Sequence, residues 1–379
     1  MEANRLSDPL LWAGQFMDRY RQAEPGFNLT RRWHYENGCF LRALEACYQQ
    51  TGQARYVDYI RSIMDLYVQE DGSIRTYVLE DYNLDQINQG KLLFLLLEKT
   101  GEAKFLQAIE LLMTQLKGHP RTEEGGFWHK KVYPFQMWLD GLYMASPFMA
   151  QYGKLTGERI WFDTAAEQLI LVERKTRDPK SGLLHHGWDA AGEQGWADPH
   201  TGRSPHVWSR AMGWYAMALV DSLEHFPVDH PKRGLLAGLM ERLAGALDRV
   251  QDTRTGLWPQ VLDQPDREGN YLESSGTAMF AYALAKGKRL GYLSGGAGET
   301  ARKGYEGLLR HMVKEDEDGQ LHLTQCNAVA GLGGTPYRDG SFEYYIGEPI
   351  IQDDAKAVSP FILAGLEIAV NSSTKELQR

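Results

Sequence analysis

Cysteine and net positive charge are both scarce in this sequence, and two familiar patterns are missing from it. Only three cysteines occur, Cys39, Cys47 and Cys326. They form no even disulfide framework, and their spacing matches no zinc-binding pattern. Cys39 and Cys47 fall on one helical stretch, where they read as small apolar packing residues. Lys and Arg total 41 against 50 Asp and Glu, a net charge of −9. An acidic chain argues against a partner held through a phosphate backbone. No run of about eighteen uncharged apolar residues exists, so nothing reads as a membrane span. The start, Met-Glu-Ala-Asn-Arg-Leu-Ser-Asp, lacks the basic region and apolar core of a secretion signal. The expectation is a reduced, cytoplasmic protein with neither nucleic acid nor membrane as partner.

What is present is a repeat. Thr51-Gly-Gln-Ala-Arg-Tyr recurs as Thr100-Gly-Glu-Ala-Lys-Phe and as Thr156-Gly-Glu-Arg-Ile-Trp. Each Thr-Gly ends one helical pattern, with Gly as the C-terminal cap, and a new amphipathic pattern follows. Helices apolar nearly all round are predicted over 33–50, 83–99, 136–155, 206–224, 271–290 and 354–370. The stretches after the turns, such as 56–68 and 104–116, carry a one-sided apolar stripe and form an outer layer. Gly-rich segments after the outer helices, such as Ser181-Gly-Leu-Leu-His-His186 and Asp318-Gly-Gln-Leu-His322, suggest small hairpins. The fold class is all-α: a closed (α/α)6 barrel of six inner and six outer helices with short β-hairpin loops, one domain over 1–379. An open helical solenoid is the alternative, disfavoured by unequal units and the lack of a polar capping repeat.

The repeat also serves as a ruler. Glu36 lies fifteen residues before Thr51, Asp85 fifteen before Thr100, and Asp140 sixteen before Thr156. Three acidic groups thus sit at one height, near the mouth of the barrel. The extra residue in the third unit falls near Pro147, since a proline inside a helix interrupts its hydrogen-bond ladder. Asp140 stands in an otherwise apolar and aromatic run, Tyr133–Phe148, where a carboxylate short of partners keeps its proton. That is the state a general acid needs. Two neighbouring carboxylates cannot both ionise cheaply, so Asp85 and Asp140 form the candidate pair. The structural alternative for either is a helix cap. His129 and His186, in loops beside Trp128 and Trp188, suit hydrogen bonding to an anion or hydroxyl. Arg210 suits a substrate carboxylate, or a buried pair with Asp85 or Glu36. Trp208 and Trp214 suit wall packing, with sugar stacking as a second role.

Six segments together resemble the unsaturated rhamnogalacturonyl hydrolases. They are Trp33-His-Tyr-Glu-Asn-Gly38, Asp81-Tyr-Asn-Leu-Asp85, His119-Pro-Arg-Thr with Gly125-Gly-Phe-Trp-His-Lys130, Gln136-Met-Trp-Leu-Asp-Gly-Leu-Tyr-Met144, His186-Gly-Trp188, and Trp208-Ser-Arg-Ala-Met-Gly-Trp-Tyr215. The resemblance runs from Trp33 to the sixth inner helix. It implies an (α/α)6 barrel acting on short oligosaccharides with a 4,5-unsaturated uronic acid at the non-reducing end. It implies hydration of the C4=C5 bond with Asp140 as acid/base and Asp85 as the second aspartate. It implies substrate contacts at His129, His186, Arg210 and Trp214, with Tyr35 and Trp33 lining the pocket; Trp208 joins the substrate-binding candidates through its stacking role. No metal or organic cofactor is implied, and the expected state is a monomer or weak homo-oligomer. The competing readings are an unsaturated glucuronyl hydrolase acting on glycosaminoglycan disaccharides, a conventional glycosidase or epimerase on the same barrel, and a non-catalytic sugar-binding barrel.

Overall fold

The computed structural model describes residues 5–21 and 32–377, and the chain over these is mostly helical. The Thr-Gly repeat has a direct physical account. Helix α1 (Pro9–Arg21) precedes α2 (Tyr35–Thr51), and Gly52 closes α2 with a left-handed φ of 68°. Its N–H donates back to the Tyr48 carbonyl. The Thr51 hydroxyl donates to the Cys47 carbonyl at 2.7 Å and accepts from the Gln53 N–H, which begins the next helix, α3 (Ala54–Met64). Thr100 and Thr156 repeat both bonds. One hydroxyl thus ends an inner helix and orients the start of an outer one.

The helices after α3 alternate in the same way. A 3₁₀ helix at Leu84–Gly90 runs into α4 (Lys91–Thr100), followed by α5 (Ala103–Gly118). Then come α6 (Leu139–Thr156) and α7 (Arg159–Thr176), and α8 (Ser209–Leu223) and α9 (Arg233–Arg249). The last pair is α10 (Ser274–Arg289) and α11 (Ala297–His311). After it stand the short α12 (Phe342–Gly347) and the long α13 (Ala355–Leu377). Helix α2 packs on the 3₁₀ segment, that segment on α6, α6 on α8, α8 on α10, α10 on α13, and α13 back on α2. The inner helices therefore meet in a closed cycle. Helices α3, α5, α7, α9 and α11 lie outside it, and α1 covers α13 and α2.

Several expected boundaries need correction. The stretch 83–99 is not a single α-helix: its first half is wound as 3₁₀. That half is rich in Asp, Asn, Gln and Gly, residues that compete for the backbone's hydrogen bonds. Asn88 spends its side chain on the Tyr35 carbonyl of α2, at 2.8 Å. The stretch 136–155 begins as a strand, β1 (Gln136–Trp138), drawn out by antiparallel pairing with β2 (Gly187–Asp189). Helix α8 starts three residues later than predicted, because the Val207 N–H is held by Asp263 and the Ser209 N–H by the Gln260 carbonyl. The expected hairpins are regular strands only at β3 (Val313–Glu315) with β4 (Leu321–Leu323). The Arg121–Phe127 and Arg177–Leu184 turns carry single bridges. One further short pair, β5 (Cys326–Asn327) with β6 (Ile350–Ile351), lies beside α13.

The inner ring encloses charge as well as apolar side chains. Lys286 of α10 reaches Asp221 of α8 at 2.7 Å, and both are nearly fully buried. The Tyr282 hydroxyl donates to the same carboxylate, and Arg42 pairs with Glu45 nearby on α2. Burial alone would push Asp221 up, but Lys286 and Arg42 outweigh it and hold it down at about 2. A carboxyl depressed by folding stabilises the fold above its ordinary range. That contribution is lost as pH falls from about 4 through the folded value. Stability measured by urea unfolding therefore declines between about pH 4 and pH 2. Lys286→Met leaves Asp221 buried without its lysine, and the expected loss at pH 7 is about 3–5 kcal/mol.

Candidate active site

The candidate carboxylates all lie in the first turns of inner helices, at one end of the ring. Glu36 is in the first turn of α2, Asp85 in that of the 3₁₀ helix and Asp140 in that of α6. There the unpaired N–H groups and the helix dipole favour an anion. Neither Asp85 nor Asp140 is the cap. Asn83 caps the 3₁₀ helix by accepting from the Asp85 N–H at 3.0 Å, which leaves the Asp85 carboxylate free for other work. The position before α6 is Trp138, with no side-chain cap.

Short main-chain ladders hold the loops against these turns. In the β1–β2 pair Trp138 stands opposite Gly187, and the Leu139 N–H donates to the His186 carbonyl at 3.0 Å. Asp140 and His186 are thereby fixed side by side. The His129 N–H donates to the Gln136 carbonyl, and the Leu84 N–H to the His129 carbonyl, so His129 lies near both Asp85 and Asp140. Gly141 favours this approach: a Cβ on it would stand 2.9 Å from Leu84 Cδ1 and 3.0 Å from His129 Nδ1, so one of them would have to shift. Trp138 stacks on His129 at 4.5 Å and meets His186 edge-on at 5.6 Å.

The two aspartates have different surroundings. Asp85 is ion-paired to Lys130 at 2.5 Å and lies 3.7 Å from His129 Nε2. Burial pushes its carboxyl up, but Lys130 and then His129 more than offset this and hold it below the usual range. It is an anion at neutral pH, with its charge partly neutralised by the lysine. Among the described residues Asp140 has no lysine or arginine in ion-pair contact. Its Oδ2 is buried and faces His186 Nε2 at 3.2 Å, off the line of a hydrogen bond, so neither atom has a bonded partner. The side chain is 14% exposed, so its exposure lies on its other atoms. His129 is buried, which lowers it to about 4 and keeps the imidazole neutral. Glu36, the third acid on the ruler, is held well below its ordinary range. Burial opposes this, but a hydrogen bond from His34 and the Lys356 ammonium prevail.

The remaining predicted residues divide. His186 is fully buried, between Trp138, Trp208 and Tyr345, with its Nδ1 2.8 Å from the Tyr345 hydroxyl. Trp208 stacks on Tyr345, and Trp214 stacks on Tyr143 and meets Tyr35 edge-on. Arg210 does not pair with Asp85 or Glu36, the partners considered for it. It is buried, donates to Ser275 Oγ and to the carbonyls of Asn327 and Ala328, and lies 3.7 Å from Glu273. Trp33 is nearly fully buried, with its indole N–H given to the Gln86 carbonyl, so it ties α2 to the 3₁₀ helix. Lys130, Trp138 and Tyr345 also belong to this cluster, although residue type alone does not mark them. The first two stand inside segments singled out above. Tyr345 carries no local signal, because its contact with His186 spans 159 residues. Among the described residues no three His, Cys, Asp or Glu are grouped as metal ligands.

The family model described as Glycosyl Hydrolase Family 88 matches residues 11–371. The fold is similar to that of a C. acetobutylicum glycoside hydrolase from family 105, with a TM-score of 0.90 and 44% identity over 94% of this chain and 99% of that one. A protein of Agrobacterium fabrum named Atu3128 is 43% identical over 59% of this chain and 97% of its own length. The unsaturated rhamnogalacturonyl hydrolase YesR of Bacillus subtilis is 30% identical over 70% of this chain and 73% of its own length. The matched region spans every carboxylate of the site and all but the end of the last inner helix, and the chain belongs to glycosyl hydrolase family 88 as a glycoside hydrolase.

Proposed function

We propose that this protein removes the 4,5-unsaturated galacturonyl unit from the non-reducing end of lyase-made rhamnogalacturonan oligosaccharides, working as a closed (α/α)6 barrel. The observation that carries the reading is the asymmetry of the two aspartates. Asp85 has its lysine and stays ionised. Among the described residues Asp140 is ion-paired to no lysine or arginine; one of its oxygens is buried against His186 and the side chain is otherwise partly exposed. One carboxyl that can give and then regain a proton suits addition of water across a double bond. In this reading Asp140 protonates C4, and the positive charge that develops at C5 is shared with the ring oxygen. Water adds at C5 and returns its proton to Asp140. The resulting hemiketal opens and releases the neighbouring sugar. Asp85 contributes a fixed negative charge beside the developing cation and orients the water. The separation rule for paired carboxylates in ordinary glycosidases does not apply, because no group attacks at the glycosidic carbon. The activity named for the B. subtilis relative supports a rhamnogalacturonan-type substrate.

The direct test is absorbance at roughly 235 nm, where the unsaturated uronate absorbs, during action on an unsaturated rhamnogalacturonan disaccharide. The signal falls with the wild type, and Asp140→Asn slows it by about 10³-fold or more with the helical spectrum unchanged. An Asp140→Asn protein that retains turnover removes the assignment.

A second expectation follows from Lys130. The lysine holds Asp85 down, so Lys130→Met lets Asp85 take up its proton at a higher pH. The acid limb of the kcat/KM profile then moves to higher pH while the plateau falls. A profile with an unmoved acid limb shows that Asp85 ionisation is not what the rate requires.

A further inference from the structure

Tyr345 stands behind His186, on the side away from Asp140. Its hydroxyl lies 2.8 Å from His186 Nδ1, and His186 Nε2 lies 3.2 Å from Asp140 Oδ2. Tyr345 and His186 are both fully buried. A neutral imidazole carries one proton, and the partner at one nitrogen decides what the other presents. The groups at both nitrogens bear on which tautomer is present, and the Tyr345 hydroxyl decides it.

At Nδ1 the group is the Tyr345 phenol. Burial, with Tyr344 and Asp140 among the nearby charges, pushes Tyr345 well above its ordinary range, so it keeps its proton. Among the described residues the hydroxyl makes one side-chain hydrogen bond, to His186 Nδ1. A buried O–H with nowhere to donate is costly, so Tyr345 donates and Nδ1 accepts. The imidazole proton is then on Nε2. At Nε2 the group is Asp140. Its Oδ2 is buried without a hydrogen-bond partner, and His186 Nε2 is equally without one. An N–H at that place satisfies the oxygen after a small rotation, whereas a lone pair there would satisfy it only if Asp140 carried its proton on Oδ2. Catalytic hydrogen bonds commonly tighten in this way when substrate binds.

We propose that Tyr345 is a positioning residue whose hydroxyl fixes His186 as the Nε2–H tautomer, so that Asp140 Oδ2 is held as an acceptor and the transferable proton resides on Oδ1. The proposal rests on Asp140 being the acid/base group. It adds a reason for one carboxyl oxygen to carry the chemistry: an acid with its proton on the buried oxygen would point away from the sugar. Tyr345 is thus tied to the reaction through His186 without touching substrate.

The tautomer is read directly from long-range ¹H–¹⁵N spectra of protein labelled in its histidines, with the His186 signals assigned by their loss in His186→Gln. In the wild type above the histidine titration, Nδ1 shows the shift of an unprotonated nitrogen and Nε2 that of a protonated one. Tyr345→Phe keeps the ring against Trp208 and removes only the hydroxyl, and a thermal melt reports its folding. Its His186 signals move toward the other tautomer, and kcat falls about tenfold with KM changed less than about twofold. Glutamine at 186 presents a fixed N–H near the place of Nε2, so in His186→Gln the added Tyr345→Phe produces no further loss. A protonated Nδ1 in the wild type, an unchanged kcat in Tyr345→Phe, or equal losses in both backgrounds each overturns the proposal. If Asp140→Asn stays active while the tautomer shift is seen, the role of Asp140 fails and the tyrosine–histidine contact stands without it.

Discussion

Two main-chain hydrogen bonds carry the arrangement on which everything at the site depends. The Leu139 N–H reaches the His186 carbonyl, and the Leu84 N–H reaches the His129 carbonyl. Each joins the first turn of an inner helix to a loop from elsewhere in the chain. The aspartates follow immediately, at 85 and 140, so each is held within one residue of a fixed backbone point. The side chains then have little freedom left. Trp138 fills the space between the two histidines, and Gly141 lets His129 approach the helix. Precision of this kind comes from short ladders at element ends, where loops meet a rigid scaffold.

The two acids show how one scaffold gives two carboxylates different surroundings. Both sit at helix starts, and both are largely withdrawn from water. The difference lies in what faces them. A lysine beside Asp85 favours its charge, whereas Asp140 faces the His186 imidazole. Opposed environments of this sort are how neighbouring carboxyls come to play different parts. The same logic runs through the ring interior. There Asp221, Lys286 and Tyr282 neutralise and hydrogen-bond one another, so charges can lie among apolar helices without exposing any of them.

Much of this was legible in the sequence because it is local. The Thr-Gly turn is a set of bonds within four residues, so it recurs as letters wherever it recurs as structure. The ruler measured from it placed Glu36, Asp85 and Asp140 in three first turns at one end. Other features were not legible, because residue type does not say which partner a side chain will find. Trp33 and Arg210 read as pocket residues, yet the tryptophan ties two inner segments together. The arginine is spent on Ser275, two carbonyls and Glu273. The winding of 84–90 as 3₁₀ depends on Asn88 meeting α2, a contact between units. Tyr345 is the extreme case, since nothing near it in the chain announces its histidine.

The closed cycle of inner helices has a consequence for how the protein is made. Helix α13 seals the ring against α2, and Lys356 at its start reaches Glu36, 320 residues earlier. During synthesis Asp85, Asp140 and His186 leave the ribosome long before the helix that closes the ring. Until it arrives, the inner faces of α2 and α10 have no neighbour on one side, and the nascent chain carries its reactive groups in an open arc. The ring therefore closes as a late event, through a segment far in sequence from the helix it closes against.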